Sequence, residues 1–324
     1  PMPRSSPPPI QHPASALPRL LLSALGLLAV PPGLADITID ISGVEGELKR
    51  NVLVFLSVER YKNRNDLDDQ QLERLNYRVE REVASALKPF GYYEPVVRSE
   101  LSKSEHSQDW RVRIEIQPGQ PLMMENVSVQ LTGAGAADPA LQSVIASNAL
   151  RRGQQLSHAR YDSLRGELQR TAATLGYLES RLTRSELLVD PPRHTASATI
   201  ELDTGERYRF GATHIEQTAI DDALARRYLR YKENDPFDGT QLLRTQFALD
   251  DSQYFATVEV LPGEADRVTH IVPVNIRAEA NRRNRYQFGA GYGTDTLLRG
   301  TASWENRLVN HNGHSFRMQI RAAT

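Results

Sequence analysis

The sequence predicts an α+β fold: three tandem β-α-α-β-β units followed by the first strands of a transmembrane antiparallel β-barrel. Three observations predict it. The first is a segment that recurs. Phe90-Gly91-Tyr92-Tyr93-Glu94-Pro95-Val96-Val97-Arg98 returns as Leu175-Gly176-Tyr177-Leu178-Glu179-Ser180-Arg181-Leu182-Thr183, with the two glycines 85 residues apart. A looser copy, Gln253-Tyr254-Phe255 to Leu261, begins 77 residues after Gly176. A near-constant period outranks local propensity, because it describes an array of like modules. The second observation is the helix ahead of each glycine. Val79, Val83, Leu87 and Phe90 match Leu164, Leu168, Ala172 and Leu175, spaced 4, 4 and 3 in both copies. The third is an abrupt change of pattern after Ile276.

Each unit follows in order. Ile37, Ile39 and Ile41 alternate with polar residues as a short half-buried strand that Gly43 ends. Two helical stretches follow, one carrying Leu48, Val52, Phe55 and Leu56, the other entering at Asp68-Asp69 and running to Leu87. Strands Tyr92–Leu101 and Trp110–Ile116 complete the unit. The second unit repeats this with Val127, Val129 and Leu131, helices Pro139–Leu150 and His158–Leu175, and strands Tyr177–Leu188 and Thr195–Leu202. The third is looser: strand Tyr208–Ile215, helices Ile220–Leu229 and Gln241–Leu249, strands Tyr254–Leu261 and Val268–Ile276.

Past Ile276 the chain alternates in three segments of roughly ten residues, as outer-membrane barrel strands do. Tyr286, Phe288, Ala290 and Tyr292 alternate with Gln287, Gly289, Gly291 and Gly293. Leu298, Gly300, Ala302 and Trp304 alternate with Arg299, Thr301, Ser303 and Glu305. Phe316, Met318, Ile320 and Ala322 alternate with Ser315, Arg317, Gln319 and Arg321. Turn formers separate them at 293–296 and 310–313. Pattern alone leaves an ordinary soluble meander open. Three strands cannot close a barrel, and an open edge cannot sit in lipid, so the barrel reading makes the chain a truncated piece. Arg299, Glu305, Arg307, Arg317 and Arg321 fall on the polar alternation and read as lumen charges.

Composition bounds the function. The 324 residues suit two or three domains, and the period favours three small ones. A net charge of −1 and a pI near 6.9 give no electrostatic footprint for nucleic acid. The absence of cysteine removes thiolate catalysis, disulfides and cysteine metal sites. Arg4 and Arg19 precede an apolar run, Leu20 to Val30, with Gly33 and Ala35 at the −3 and −1 positions of a signal peptidase site. That describes a secretory signal peptide cut after Ala35, too short in its apolar part to span a bilayer. The expected layout is a signal peptide over 1–35, units over 36–119, 120–204 and 205–279, and barrel strands over 283–324.

Units of this length and element order, in series after a signal peptide, resemble POTRA (polypeptide-transport-associated) domains. With the barrel-like tail they resemble the outer-membrane assembly factors, which include BamA-type proteins and two-partner secretion transporters. The count of three units, Phe288-Gly289-Ala290-Gly291-Tyr292-Gly293-Thr294-Asp295-Thr296, Trp304-Glu305-Asn306-Arg307 and Gly313-His314 are similar to the TamA branch. Leu297-Leu298 departs from the glycine and proline of that pattern. The resemblance implies a sheet covered on one face by two helices, with the second strand at its edge. Strand pairing would then involve Tyr92, Val96, Tyr177, Leu182, Tyr254 and Val258. It also implies a lateral barrel seam at Tyr286, Phe288, Gly289, Gly291, Tyr292 and Gly293. An inner-membrane-anchored, periplasm-spanning TamB-like partner, autotransporter-like outer-membrane clients and outer-membrane lipid are the implied partners, without nucleic acid or nucleotide.

Catalytic patterns are missing from the sequence. Gly289-x-Gly291-x-Gly293 has the wrong spacing for a dinucleotide loop and precedes a strand rather than a helix. His311 and His314 read as an exposed polar turn rather than a metal site. The stretch 63–69 lacks the glycine of a calcium loop and reads as a helix entry. No G-x-S-x-G supports a hydrolase. The expectation is a non-enzymatic outer-membrane assembly or translocation factor without cofactor or metal. The alternative is a soluble periplasmic adaptor whose last strands complete the third sheet.

Overall fold

Alternating apolar residues become strands wherever a helix is available to cover one face. In the computed structural model, which describes residues 37–64, 67–103, 109–292 and 298–323, this happens three times. The first unit comprises β1 (Ile37–Ser42), α1 (Gly46–Phe55), α2 (Ser57–Tyr61), α3 (Asp69–Leu87), a 3-10 turn over Lys88–Phe90, β2 (Val96–Lys103) and β3 (Trp110–Gln117). The second comprises β4 (Met123–Thr132), α4 (Pro139–Ser147), α5 (His158–Thr174), β5 (Arg181–Asp190) and β6 (Thr195–Asp203). The third comprises β7 (Arg209–Glu216), α6 (Asp222–Arg226), α7 (Gly239–Asp251), β8 (Phe255–Pro262) and β9 (Ile271–Ala280). β10 (Asn284–Gly291), β11 (Arg299–Asn306) and β12 (Phe316–Ala323) follow. The segment read as a signal peptide, 1–35, lies outside the described residues.

In every unit the last strand is the central one. The orders are β1-β3-β2, β4-β6-β5 and β7-β9-β8, with the first strand parallel to the central strand and the second antiparallel. The central strands carry the cleanest alternation because one face lies under helices and the other in water. Val112, Ile114 and Ile116 are buried, as are Ala196, Ala198, Ile200 and Leu202, and Val272, Val274, Ile276 and Ala278. Three clusters of buried side chains result, one per sheet. The tail strands form a separate antiparallel sheet, β10-β11-β12, so they do not complete the third sheet as the adaptor alternative expected.

The helix that precedes each recurring turn is fixed at both ends. Asp68 closes a capping box: its carboxylate accepts from Gln71 N at 2.6 Å, and Gln71 Oε1 accepts from Asp68 N at 3.1 Å. At the other end Gly91 has φ +89, Tyr92 N bonds Leu87 O and Gly91 N bonds Lys88 O. Gly176, φ +91, repeats both bonds through Tyr177 N to Ala172 O and Gly176 N to Ala173 O. These are Schellman caps, which need a left-handed residue at that one position. Val79, Val83 and Leu87 are buried, as are Leu164, Leu168 and Ala172. In the third unit Gln253 takes the left-handed position (φ +60), and Thr245 stands in the register of Val83 and Leu168. Thr245 is buried, and its hydroxyl accepts from Arg230 N at 3.0 Å, so the substitution leaves no orphaned polar group.

Several boundaries differ from expectation. The first helical stretch is two helices, because Leu56 adopts an extended conformation (φ −68, ψ 118) that sends its side chain into the core and leaves Phe55 outside. Val268 belongs to an exposed turn ahead of β9, where Asp266 accepts from Val268 N at 2.8 Å.

Candidate functional site

The second strand of each unit lies at a sheet edge, where one row of backbone N–H and C=O groups has no partner in the sheet. The three edges are not alike. β2 pairs with β3 without a break over all eight residues. The register of β5 shifts between Leu182 and Arg184, and that of β8 between Phe255 and Thr257. A bulge of this kind twists an edge and spoils its use as a template. The outer parallel strands divide likewise: β4 and β7 carry register shifts and β1 does not.

The strand-pairing residues expected from the sequence separate accordingly. Val96 opens β2 and is 54% exposed. Leu182 lies on β5 with its side chain packed partly against the second core, and Val258 lies on β8 with its side chain buried. Tyr92, Tyr177 and Tyr254 lie outside the strands, which correct to starts at Val96, Arg181 and Phe255. The reason is the left-handed residue before each tyrosine, which turns the ring inward before the chain straightens. Tyr177 is buried, while Tyr92 and Tyr254 pack partly buried against the first and third cores.

Those turns join consecutive units instead. Gly91 O accepts from Leu122 N at 2.8 Å, and Gly176 O accepts from Tyr208 N at 2.9 Å. A Cβ on Gly91 would stand 2.9 Å from Leu156 O, and one on Gly176 2.8 Å from Phe237 O, both in the next unit. Side chains reinforce each junction. The Tyr93 hydroxyl lies 2.9 Å from His158 Nε2. Arg207 Nε donates to Leu175 O at 2.8 Å across the second junction, and within the second unit Tyr177 Oη donates to Asp138 at 3.1 Å. Burial pushes the Tyr177 hydroxyl above the usual tyrosine range, with the bond to Asp138 adding to it, and burial pulls His158 below the usual histidine range.

The fourth sheet sorts its side chains by face. Its register aligns Tyr286 with Trp304 and Met318, Phe288 with Ala302 and Ile320, and Ala290 with Gly300 and Ala322. Alternation sets these on one face, with Arg285, Gln287, Arg299, Thr301, Glu305, Arg317, Gln319 and Arg321 on the other. The apolar face is open: Phe288 is 83% exposed, and Tyr286, Met318 and Ile320 are exposed too. On the polar face Glu305 stands between Arg285 and Arg317 and pairs with Arg317. Arg299 packs across Gly291, where a Cβ would stand 2.8 Å from its Nε.

β10 is the edge of this sheet and holds Tyr286, Phe288, Gly289 and Gly291; Tyr292 falls just past its end, and Gly293 lies outside the described residues. Arg307 lies one residue past β11, where its N donates to Arg283 O at 2.7 Å, and its charge acts on Glu305 together with those of Arg317 and Arg285. β11 ends at Asn306, and the chain turns so that Leu308 is buried among the third unit's core residues. His311 is exposed in a turn, and its Nδ1 lies 2.9 Å from Ala219 O of the third unit. The apolar pair Leu308-Val309 amid Asn and Arg is the sequence cue for this docking.

Among the described residues no helix is long and apolar enough to cross a membrane, a statement that does not bear on strands, and no group of three or more His, Asp or Glu is arranged to hold a metal ion.

Residues 38–118, spanning β1 to β3, match the family model described as POTRA domain, TamA domain 1. The first unit is therefore similar to the first POTRA domain of TamA. Solved structures similar to it include POTRA3-5 of Haemophilus influenzae BamA, at 15% identity and TM-score 0.41, covering 78% of this chain and 99% of that one. BamA of Haemophilus ducreyi lacking POTRA domains 1-3 is similar at 16% identity and TM-score 0.48, covering 60% of this chain and 37% of that one. CdiB of Acinetobacter baumannii follows at 12% identity and TM-score 0.36, covering 86% of this chain and 47% of that one. The chain thus spans less than half the length of those last two proteins. At such scores the likeness carries no argument, and the similarity over 38–118 is the one that counts.

Proposed function

We propose that the chain belongs to a non-enzymatic outer-membrane assembly or translocation factor, in which three periplasmic POTRA-like units, divided near 119 and 204, deliver β-rich clients to a barrel begun by β10–β12. The observation that carries this reading is the fourth sheet. Its three strands expose an apolar face of aromatic, methionine and isoleucine side chains and gather their charges on the opposite face. A water-soluble sheet of this size buries such a face, whereas a barrel wall turns it to lipid. The sheet edges support binding of extended chains through the backbone, with little demand on sequence. A TamB-like partner anchored in the inner membrane, autotransporter-like clients and outer-membrane lipid fit this arrangement. Strand pairing and burial of client apolar surface supply the driving force, and β10, an edge strand with glycines at 289 and 291, is the proposed seam.

The test is on β10. Ala290→Pro and Gly289→Asp are expected to abolish client insertion while circular dichroism of the periplasmic region stays unchanged; normal insertion in both variants removes the seam from the proposal. Fractionation with and without boiling tests the barrel itself. Membrane-bound, heat-modifiable protein is expected, and soluble periplasmic protein of unchanged mobility restores the adaptor alternative.

A further inference from the structure

The third unit differs from its neighbours in one respect that the proposed function does not use. Its first helix, α6, has five residues, against ten in α1 and nine in α4. One and a half turns cannot hold themselves in water. At the entry to α4 the Asp138 side chain accepts from Ala140 N at 2.9 Å, whereas at the entries to α6 and the longer α1 no side chain caps the helix. The β11–β12 loop, residues 307–315, supplies what is missing. Asp221 N donates to His311 O at 3.0 Å, and His311 Nδ1 lies 2.9 Å from Ala219 O. Tyr254 Oη donates to Gly313 O at 2.8 Å. Leu308, 6% exposed, is a member of the third unit's core cluster.

The loop is shaped for this place. Val309 N bonds His314 O at 2.8 Å, and Gly313 N bonds Asn310 O at 3.1 Å. Gly313 has φ +80, and a Cβ there would lie 2.7 Å from both Leu224 Cδ2 and Tyr254 Oη. A side chain there would strain the left-handed backbone and have to move the Leu224 and Tyr254 side chains.

We infer that the β11–β12 loop is an obligate part of the third unit: it completes the core, and the third unit and the β10–β12 sheet open and close as one cooperative body. At the Gly91 junction only Tyr93, partly buried, packs against the next core, and no described residue of the first two units is a member of the third core, so those units open separately from it. A chain or ligand that strains the third unit thereby acts on the β11–β12 hairpin, and the reverse holds.

Native-state hydrogen exchange of the full-length protein in detergent tests this. Leu308→Asp is expected to raise exchange by roughly tenfold or more across residues 219–229 and 254–262, far from the substitution in sequence, and to leave 37–103 and 123–203 within about twofold. Leu308→Met, which conserves volume, is expected to restore protection. Acceleration confined to 307–315 makes the third unit self-sufficient and overturns the inference. Should Leu308→Asp fail to accumulate, His311→Ala and Tyr254→Phe each remove one bond and are expected to accelerate the same two segments a few-fold. No change there, or a uniform change over the whole chain, overturns it equally.

Discussion

At the scale of single residues, the repeat rests on one backbone position used three times. Gly91 and Gly176 hold it with left-handed φ and with the next unit's carbonyl against their Cα hydrogens, so two penalties meet on any side chain placed there. Gly176→Ala is expected to destabilise the protein by about 2–4 kcal/mol, from roughly 1–2 kcal/mol of left-handed strain plus the overlap with Phe237 O. Gln253 already bears the strain without the overlap. Gln253→Gly is expected to stabilise the third unit by about 0.5 kcal/mol, the same strain relieved less about 0.4–1 kcal/mol of added unfolded-chain entropy. Urea midpoints of the two variants check both signs, and a stabilising Gly176→Ala contradicts the account of the junction. His158 adds a pH term. Its folded value is lowered by burial, with Asp162 opposing, so the neutral ring at the Tyr93 contact is favoured. The contribution is complete above the ordinary value near 6.5 and is lost as pH falls below it through the folded value. The urea midpoint is expected to drop between pH 7.5 and 5, less so in His158→Asn; equal slopes in the two proteins remove His158 as the cause.

At the scale of elements, the legible parts of the sequence were those whose side chains face one environment along their whole length. Central strands qualify, since Val112, Ile114 and Ile116 all meet the helices, and so does α3, whose Asp68 entry and Gly91 exit are both local chemistry. The sequence places the edge strands four residues early at β2 and β5, because Tyr92 and Tyr177 have strand propensity but are committed to core and cap. Bulges in β5 and β8 were invisible, since an inserted residue alters pairing and leaves composition alone. The third copy looked weak because Thr245 and Gln253 replace an aliphatic and a glycine, yet Arg230 N and a tolerable left-handed glutamine keep the register. The unbroken β2 edge yields a prediction at this scale. A photocrosslinker at Arg98 is expected to capture a partner chain several-fold better than one at Arg184 of β5 or Glu259 of β8, and equal yields at the three would show that bulges do not select the edge.

At the scale of the whole molecule, adjacent units share backbone hydrogen bonds across linkers of about five residues, which favours a chain of stiff modules over beads on a flexible string. At the third turn the contact differs: Asn281 N continues the β8–β9 ladder by donating to Tyr254 O at 2.8 Å, and its side-chain Nδ2 donates to Gln253 O at 3.1 Å. Neither this contact nor the docked loop was readable beforehand, because each joins segments whose partners lie far apart in sequence and obey no period. The placement of the last strand at the centre of every sheet carries a further consequence, one of timing. β1 never pairs with β2, nor β4 with β5, nor β7 with β8; each pair waits for a strand made later. A chain that emerges N-terminus first therefore holds two unsatisfied strands in hand until roughly eighty residues are out, then closes a sheet at once. The first two modules can lock in sequence as they appear. The third must wait longest, until Leu308 has come through.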